Sequence, residues 1–334
     1  MDGICTLAND KVYHQLIALL NSIDAIYGKE MPVCVYPYDD NTEKIAKEIS
    51  LRPHVQLYNQ EDSIRQWDEF VRHIWDIHPT AQVNWKKVGL DKYHRIGTHR
   101  RYCAFDGPFD RFVYMDADTL LMSPLDHVFS KLDEYDWVVY DFQYKDLSHV
   151  YNQSASKLKK IFTKQQLHNE IFCSGFYGSK KGMFTPQQRE LLLKYLSQGE
   201  AGILYHMAPD QTILNYMVMR LGISSYNFAL QIAKEDKTGC CITSTHFQSV
   251  DNILYDKSKR LTYIHYIGLS SQLFNQVCSG ENIDFPYRDL FLYYRYLHEP
   301  DKFPKFTTKV HPYDCHSSSS FGRKLLSNLR FPKK

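Results

Sequence analysis

Short apolar runs alternate with amphipathic stretches through the first third of the chain. Met1–Thr6 is an apolar run suited to a strand, and Leu7–Asp10 breaks it as a loop. From Tyr13 to Ile26 the apolar positions Leu16, Ile17, Leu20, Ile23 and Ile26 recur at helical spacing. Asn9 or Asp10 offers a helix cap before them. Pro32–Tyr36 predicts a second strand, Thr42–Ser50 a short helix, and Val55–Tyr58 a third strand. Strand and helix in this rhythm predict parallel βαβ units in a doubly wound sheet.

Further on, Glu61–Trp85 is mixed and holds Trp67, Trp75 and Trp85, predicting a helix followed by a surface loop. Val88–Phe105 predicts a basic helix carrying Lys92, His94, Arg95, His99, Arg100 and Arg101. On such a helix Arg95 and His99 share a face, while Arg100 and Arg101 point elsewhere. Asp110–Met115 is an apolar strand, Asp126–Asp133 a short helix and Trp137–Tyr140 a strand. Gln153–Lys164 reads as a solvated helix, and Glu170–Tyr177 as a strand interrupted at Ser174-Gly175. Helices are expected over Pro186–Ser197, Gln211–Leu221 and Asp289–Leu297, and strands over Phe228–Ala233, Ile242–Phe247 and Leu261–Ile267. From Pro300 the chain turns rich in Pro, Lys and Ser. The expected division is therefore one large domain over 1–299 and a tail over 300–334. Within that tail Phe321–Phe331 has the pattern of a basic amphipathic helix, suited to a weak membrane-surface contact or to an ordinary docked terminus.

Composition narrows the class. A hydrophobic content of 43% against 23% charged residues fits a globular chain with a large core. A net charge of +2 supplies no field for nucleic acid. No apolar stretch reaches the roughly 20 residues of a membrane span, and Asp2 with the short Ile4–Leu7 run makes no signal core. The eight cysteines contain no C-x-x-C pair, which argues against a zinc or redox motif and for buried thiols in a cytoplasmic protein.

The chemistry concentrates where the Phe112–Met115 run ends, at Asp116-Ala117-Asp118. Open α/β sheets place ligands beyond the carboxyl ends of their strands. Two carboxylates spaced i, i+2 at such an end can reach one hard cation, Mg2+ or Mn2+, which keeps positions open for phosphate oxygens. The plain alternative is a solvated turn, but such a turn does not require an apolar strand running into it.

Several separated pieces share one pattern. Tyr114-Met115-Asp116-Ala117-Asp118 resembles the Asp-x-Asp signature of nucleotide-sugar glycosyltransferases with the GT-A fold. His265-Tyr266-Ile267-Gly268 resembles the His-x-x-Gly motif of glycosyltransferase family 8, which includes glycogenin and bacterial lipopolysaccharide galactosyltransferases. Asp210-Gln211-Thr212-Ile213-Leu214-Asn215 is similar to that family's Asp-Gln-x-x-Leu-Asn, and Phe172-Cys173-Ser174-Gly175 to its Phe-Asn-x-Gly. Thr6-Leu7-Ala8-Asn9-Asp10 is similar to its first nucleotide-binding loop.

The resemblance implies a GT-A fold, with a Rossmann-like mixed central sheet flanked by helices. It implies a hexosyltransferase that uses Mn2+ or Mg2+, takes a nucleotide sugar such as a UDP-sugar, and serves a glycan or small hydroxyl acceptor with retention. Asp116, Asp118 and His265 become the metal ligands. Ala8, Asn9, Asp10, Arg95, Asp116, Ala117, Gly175 and Gly268 line the donor site, and Asp210 and Gln211 take the catalytic positions. Two departures matter: Leu269-Ser270-Ser271-Gln272 lacks the family's pyrophosphate-binding Lys, and Cys173 stands in place of an Asn. They leave a catalytically weak sugar-nucleotide or glycan-binding protein as an alternative. A sugar-phosphate nucleotidyltransferase is a further one, opposed by the absence of glycine from the first loop.

Overall fold

A computed structural model describes residues 1–313 of the chain. The Phe321–Phe331 segment lies outside the described residues.

The first half follows the expected rhythm. β1 (Asp2–Ala8), α1 (Tyr13–Tyr27), β2 (Val33–Pro37), α2 (Glu43–Ile49) and β3 (Val55–Leu57) come in order. After them come α3 (Glu61–Ile77), α4 (Ala81–Lys87), a 3-10 helix over Ile96–Asp106, and β4 (Arg111–Met115). Next are β5 (Thr119–Leu121), α5 (Asp126–Lys131), β6 (Trp137–Val139), α6 (Leu158–Ile161), α7 (Lys164–Asn169) and β7 (Phe176–Lys180). α8 (Pro186–Tyr195), α9 (Pro209–Arg220), β8 (Ser225–Asn227) and α10 (Phe228–Gln231) continue the chain. A small meander of β9 (Gln248–Val250), β10 (Ile253–Asp256) and β11 (Lys259–Arg260) leads into β12 (Tyr263–His265). α11 (Ser271–Cys278), β13 (Ile283–Asp284), α12 (Arg288–Arg295) and β14 (His311–Pro312) complete it.

Seven strands form the central sheet in the order β3-β2-β1-β4-β7-β6-β8. β3, β2, β1 and β4 are parallel, and β7 runs against both β4 and β6. The expected mixed α/β sheet flanked by helices is therefore the observed architecture. Side chains alternate between its faces, as a pleated strand requires. Phe112 and Tyr114 of β4 join one buried cluster with Trp67, Trp75 and Tyr216, while Val113 and Met115 join another with Leu16, Leu20 and Val128. Both faces are covered, which is why β4 reads as a continuous apolar run.

Four expectations are corrected. The surface loop ending at Trp85 is instead α4, and Trp67, Trp75 and Trp85 are fully buried. The basic α-helix over Val88–Phe105 is instead a turn and a 3-10 helix. Gly97 lets this segment pass close to Tyr38, since a Cβ there would lie 2.1 Å from the Tyr38 carbonyl oxygen. The strand over Phe228–Ala233 is the helix α10, capped by the Asn227 side chain. Ile242–Phe247 forms no strand; only Cys241 makes a bridge, to His265. Among the described part of the expected tail, Phe306 and Tyr313 pack against a third cluster containing Phe274 and Phe291.

Candidate metal and donor site

β4 ends at Met115, and the backbone N–H of Asp116 still donates to the Gly175 carbonyl (2.9 Å), extending the β4–β7 ladder by one bond. The chain then turns. The Thr119 N–H and hydroxyl both donate to the Asp116 carbonyl, at 3.0 and 2.7 Å. This turn holds Asp116 and Asp118 at the carboxyl end of the sheet. β5 begins at Thr119 and pairs antiparallel with β12, setting His265 opposite Thr119. The Tyr266 N–H donates to the Asp118 carbonyl (2.9 Å), locking that register.

One ligand atom from each of Asp116, Asp118 and His265 lies within 4.8 Å of the others. His265 Nε2 is 3.2 Å from Asp118 Oδ1. Gly175 faces the same space: a Cβ there would sit 2.4 Å from His265 Cε1 and 3.0 Å from Asp116 Oδ2. Two hard carboxylate oxygens and one imidazole around a pocket kept clear by a glycine fit a divalent cation.

Burial and mutual charge act differently on the three groups. Burial raises the Asp116 carboxyl, and the Asp118 charge adds to that; Arg101 opposes without cancelling it. Burial acts the same way on Asp118 but is outweighed by His265, so Asp118 is lowered. Burial disfavours the His265 imidazolium, yet Asp118 and the Cys173 thiol raise it well above the ordinary value. Asp116 is thus the carboxylate with the least compensation, and a cation would supply it.

The guanidinium in this site is Arg101, not pointing elsewhere as an α-helical reading requires. A 3-10 helix advances three residues per turn, so Thr98 and Arg101 fall on one side, and both are buried. Arg101 is buried and donates to the Thr98 and Ser174 carbonyls, both at 2.9 Å. Its Nη2 lies 3.1 Å from Asp116 Oδ1 and 3.2 Å from Asp210 Oδ2. It covers the Tyr114 ring at 4.8 Å, and the Tyr114 hydroxyl donates to Asp116 Oδ1 (2.9 Å). Arg95 is exposed at the start of the same helix, with φ 52°. Burial would raise the Asp210 carboxyl, but Arg101, Arg95 and His99 hold it well below the usual carboxylate range.

Asp210 and Gln211 open α9 beside this group. The Ser174 hydroxyl donates to Asp210 Oδ2 (3.3 Å) and the Ser174 N–H to Gln211 Oε1 (3.2 Å). Gln211 Nε2 donates to the His149 carbonyl (3.1 Å), so its amide is fixed from both ends. At the end of β1, Ala8 and Asn9 are buried. Asn9 donates to Asp39 (2.8 Å) and caps the following turn through the Lys11 N–H. Asp10 accepts from the Lys44 and Ile45 N–H groups, capping α2. These residues follow β1, the immediate parallel neighbour of β4, so the loop leaves the same sheet edge as Asp116. Ala117 is buried between the two carboxylates. Gly268 has φ +85° in the turn from β12 to α11.

Sequence reasoning favoured Arg95 over Arg101 as the donor-side cation, and it did not single out Asp141. Asp141 is buried just past β6, accepts from the Gln143 N–H (2.7 Å), and has no partner for Oδ2. Burial pushes its carboxyl up to about 7. The only sequence signal is an acidic residue closing the apolar run Trp137–Tyr140.

No protein-family model matches the chain, and no curated protein matches it in sequence. Among solved structures it is similar to mouse xyloside xylosyltransferase 1, with 10% identity and a TM-score of 0.47, over 68% of this chain and 85% of that one. It is also similar to the galactosyltransferase LgtC in complex with donor and acceptor sugar analogues, with 13% identity and a TM-score of 0.46, over 83% and 95%. A third is core-mannan synthase A from Aspergillus fumigatus in a Mn/GDP form, with 11% identity and a TM-score of 0.40, over 68% and 72%. No described helix is long and apolar enough to cross a membrane.

Proposed function

We propose that this chain is a glycosyltransferase. It moves a hexose from a nucleoside-diphosphate sugar, best read as a UDP-sugar, to a hydroxyl of a glycan or small acceptor. The observation that carries the reading is the convergence of Asp116, Asp118 and His265, from two distant segments, at the carboxyl edge of the sheet. Asp116, Asp118 and His265 would hold Mn2+ or Mg2+. When bound, that cation stabilises the negative charge that grows on the departing diphosphate.

The remaining residues have separable tasks. Arg101 fixes Asp116 and Asp210 relative to each other and brings positive charge to the donor side. Arg95, exposed just before the 3-10 helix, would meet an anionic donor group. Ala8, Asn9 and Asp10 border the nucleoside end, while Gly175 and Gly268 let backbone and donor approach closely. Asp210 and Gln211 face the sugar: Asp210 is ionised and Gln211 is a fixed amide, which cannot act as a general base. That pairing supports a same-face substitution with retention rather than base-driven inversion. Free thiols at all seven described cysteines support a cytoplasmic setting.

The test is nucleoside diphosphate release from a panel of nucleotide sugars with Mn2+. Wild type should release the diphosphate from one donor, and Asp118→Asn should lose metal-dependent turnover with an unchanged circular dichroism spectrum. Full turnover in that variant would remove the metal assignment. Donor-induced thermal stabilisation without turnover would instead indicate a binding protein, the outcome that Leu269–Gln272 in place of a Lys-bearing segment favours.

A further inference from the structure

Cys240 and Cys241 are adjacent in sequence, and their sulfurs lie 3.6 Å apart. Cys240 is buried and Cys241 is half-buried. Their backbone grips His265 on both sides. The His265 N–H donates to the Cys240 carbonyl (2.8 Å), and the Ile242 N–H donates to the His265 carbonyl (3.1 Å). Another pair of thiols, Cys5 and Cys34, face each other across β1 and β2, but both are sealed in the sheet core.

We propose that Cys240 and Cys241 form a dithiol site for thiophilic ligands of the trivalent arsenical class, and that filling it weakens cation binding at His265. The second half rests on the cation reading of Asp116, Asp118 and His265. The step is a condensation without redox change: R–As=O and two Cys S–H groups give R–As(S–Cys)2 and one water. Two As–S bonds form, both thiol protons leave with the oxide oxygen, and arsenic stays trivalent. The two sulfurs already stand 3.6 Å apart, close enough to share one arsenic atom. The two As–S bonds close a ring that includes the Cys240–Cys241 peptide, and that ring constrains the Cys240 carbonyl and the adjoining Ile242 N–H, the two groups that hold the His265 backbone.

Treat the full-length protein with phenylarsine oxide, wash with excess glutathione to strip single-thiol adducts, and measure intact mass and Mn2+ affinity. Wild type should keep one adduct that dithiothreitol removes, and its Mn2+ dissociation constant should rise at least tenfold. Cys240→Ser and Cys241→Ser should each lose the retained adduct and keep their Mn2+ affinity during treatment, while Cys34→Ser should behave as wild type. No retained adduct, or one that survives both serine variants, overturns the dithiol site. A retained adduct with unchanged Mn2+ affinity overturns the coupling. If untreated protein binds no Mn2+, the proposed function fails and the coupling with it, while the mass result still decides the dithiol site.

Discussion

Gly175→Ala tests the convergence at the sheet edge directly. The added Cβ would lie 2.4 Å from His265 Cε1, with His265 Nδ1 and Asp116 Oδ2 both at 3.0 Å. Non-bonded carbons settle near 3.5–4.0 Å, so the imidazole or the strand must move by about 1 Å. Neither yields easily. Gly175 is tied to β4 through the bond from the Asp116 N–H, and His265 is clamped by Cys240 and Ile242. Overpacking of this kind costs about 1–3 kcal/mol, which predicts a fall of a few degrees in Tm. The larger effect falls on the proposed ligands: disturbing the residues that orient a metal site typically costs about 10- to 100-fold in affinity. Isothermal titration with Mn2+ should show that loss for Gly175→Ala. Gly202→Ala is the control, because its Cβ would meet nothing closer than Pro79 Cγ at 3.6 Å. If Gly175→Ala binds Mn2+ like wild type at unchanged Tm, the three ligands do not meet beside Gly175 and the reasoning is wrong.

Two further outcomes follow from the charges. Arg101→Ala should destabilise the fold by about 3–5 kcal/mol in urea, the usual cost of breaking a buried pair from one side, because Asp116 and Asp210 both lose their guanidinium. Arg101→Lys should recover only part of it, since one ammonium cannot reproduce the bonds to Thr98, Ser174 and both carboxylates. Asp141 gives a pH signature. Its carboxyl rises from 3.8 to about 7 on folding, so the native state binds the extra proton between those values. Stability from this group is full below the unfolded pKa and is lost as pH rises through the folded one. The ceiling is about 4 kcal/mol across that window. In chelator, Asp141→Asn should therefore gain Tm relative to wild type from pH 5 to about pH 7 and level off above it; a difference that does not change with pH would contradict the buried, unpartnered oxygen.

The sequence alone determined what is local. Strand–helix alternation was legible because period 2 and period 3.6 leave different marks within a few residues, and burial on both faces makes β4 a continuous apolar run. Asp116 and Asp118 were legible because both acids sit on one strand end. Three things waited for the tertiary structure. Arg101 enters the site because the segment winds as a 3-10 helix beginning only at Ile96, which buries Arg101 together with His99 and leaves Arg95 exposed before it. Trp85 is core because α4 folds back on α3, setting its ring 5.1 Å from Trp75. His265 reaches Asp118 through the pairing of β12 with β5. Side-chain identity fixes what a residue can bind, but the pairing of distant strands fixes which residues meet.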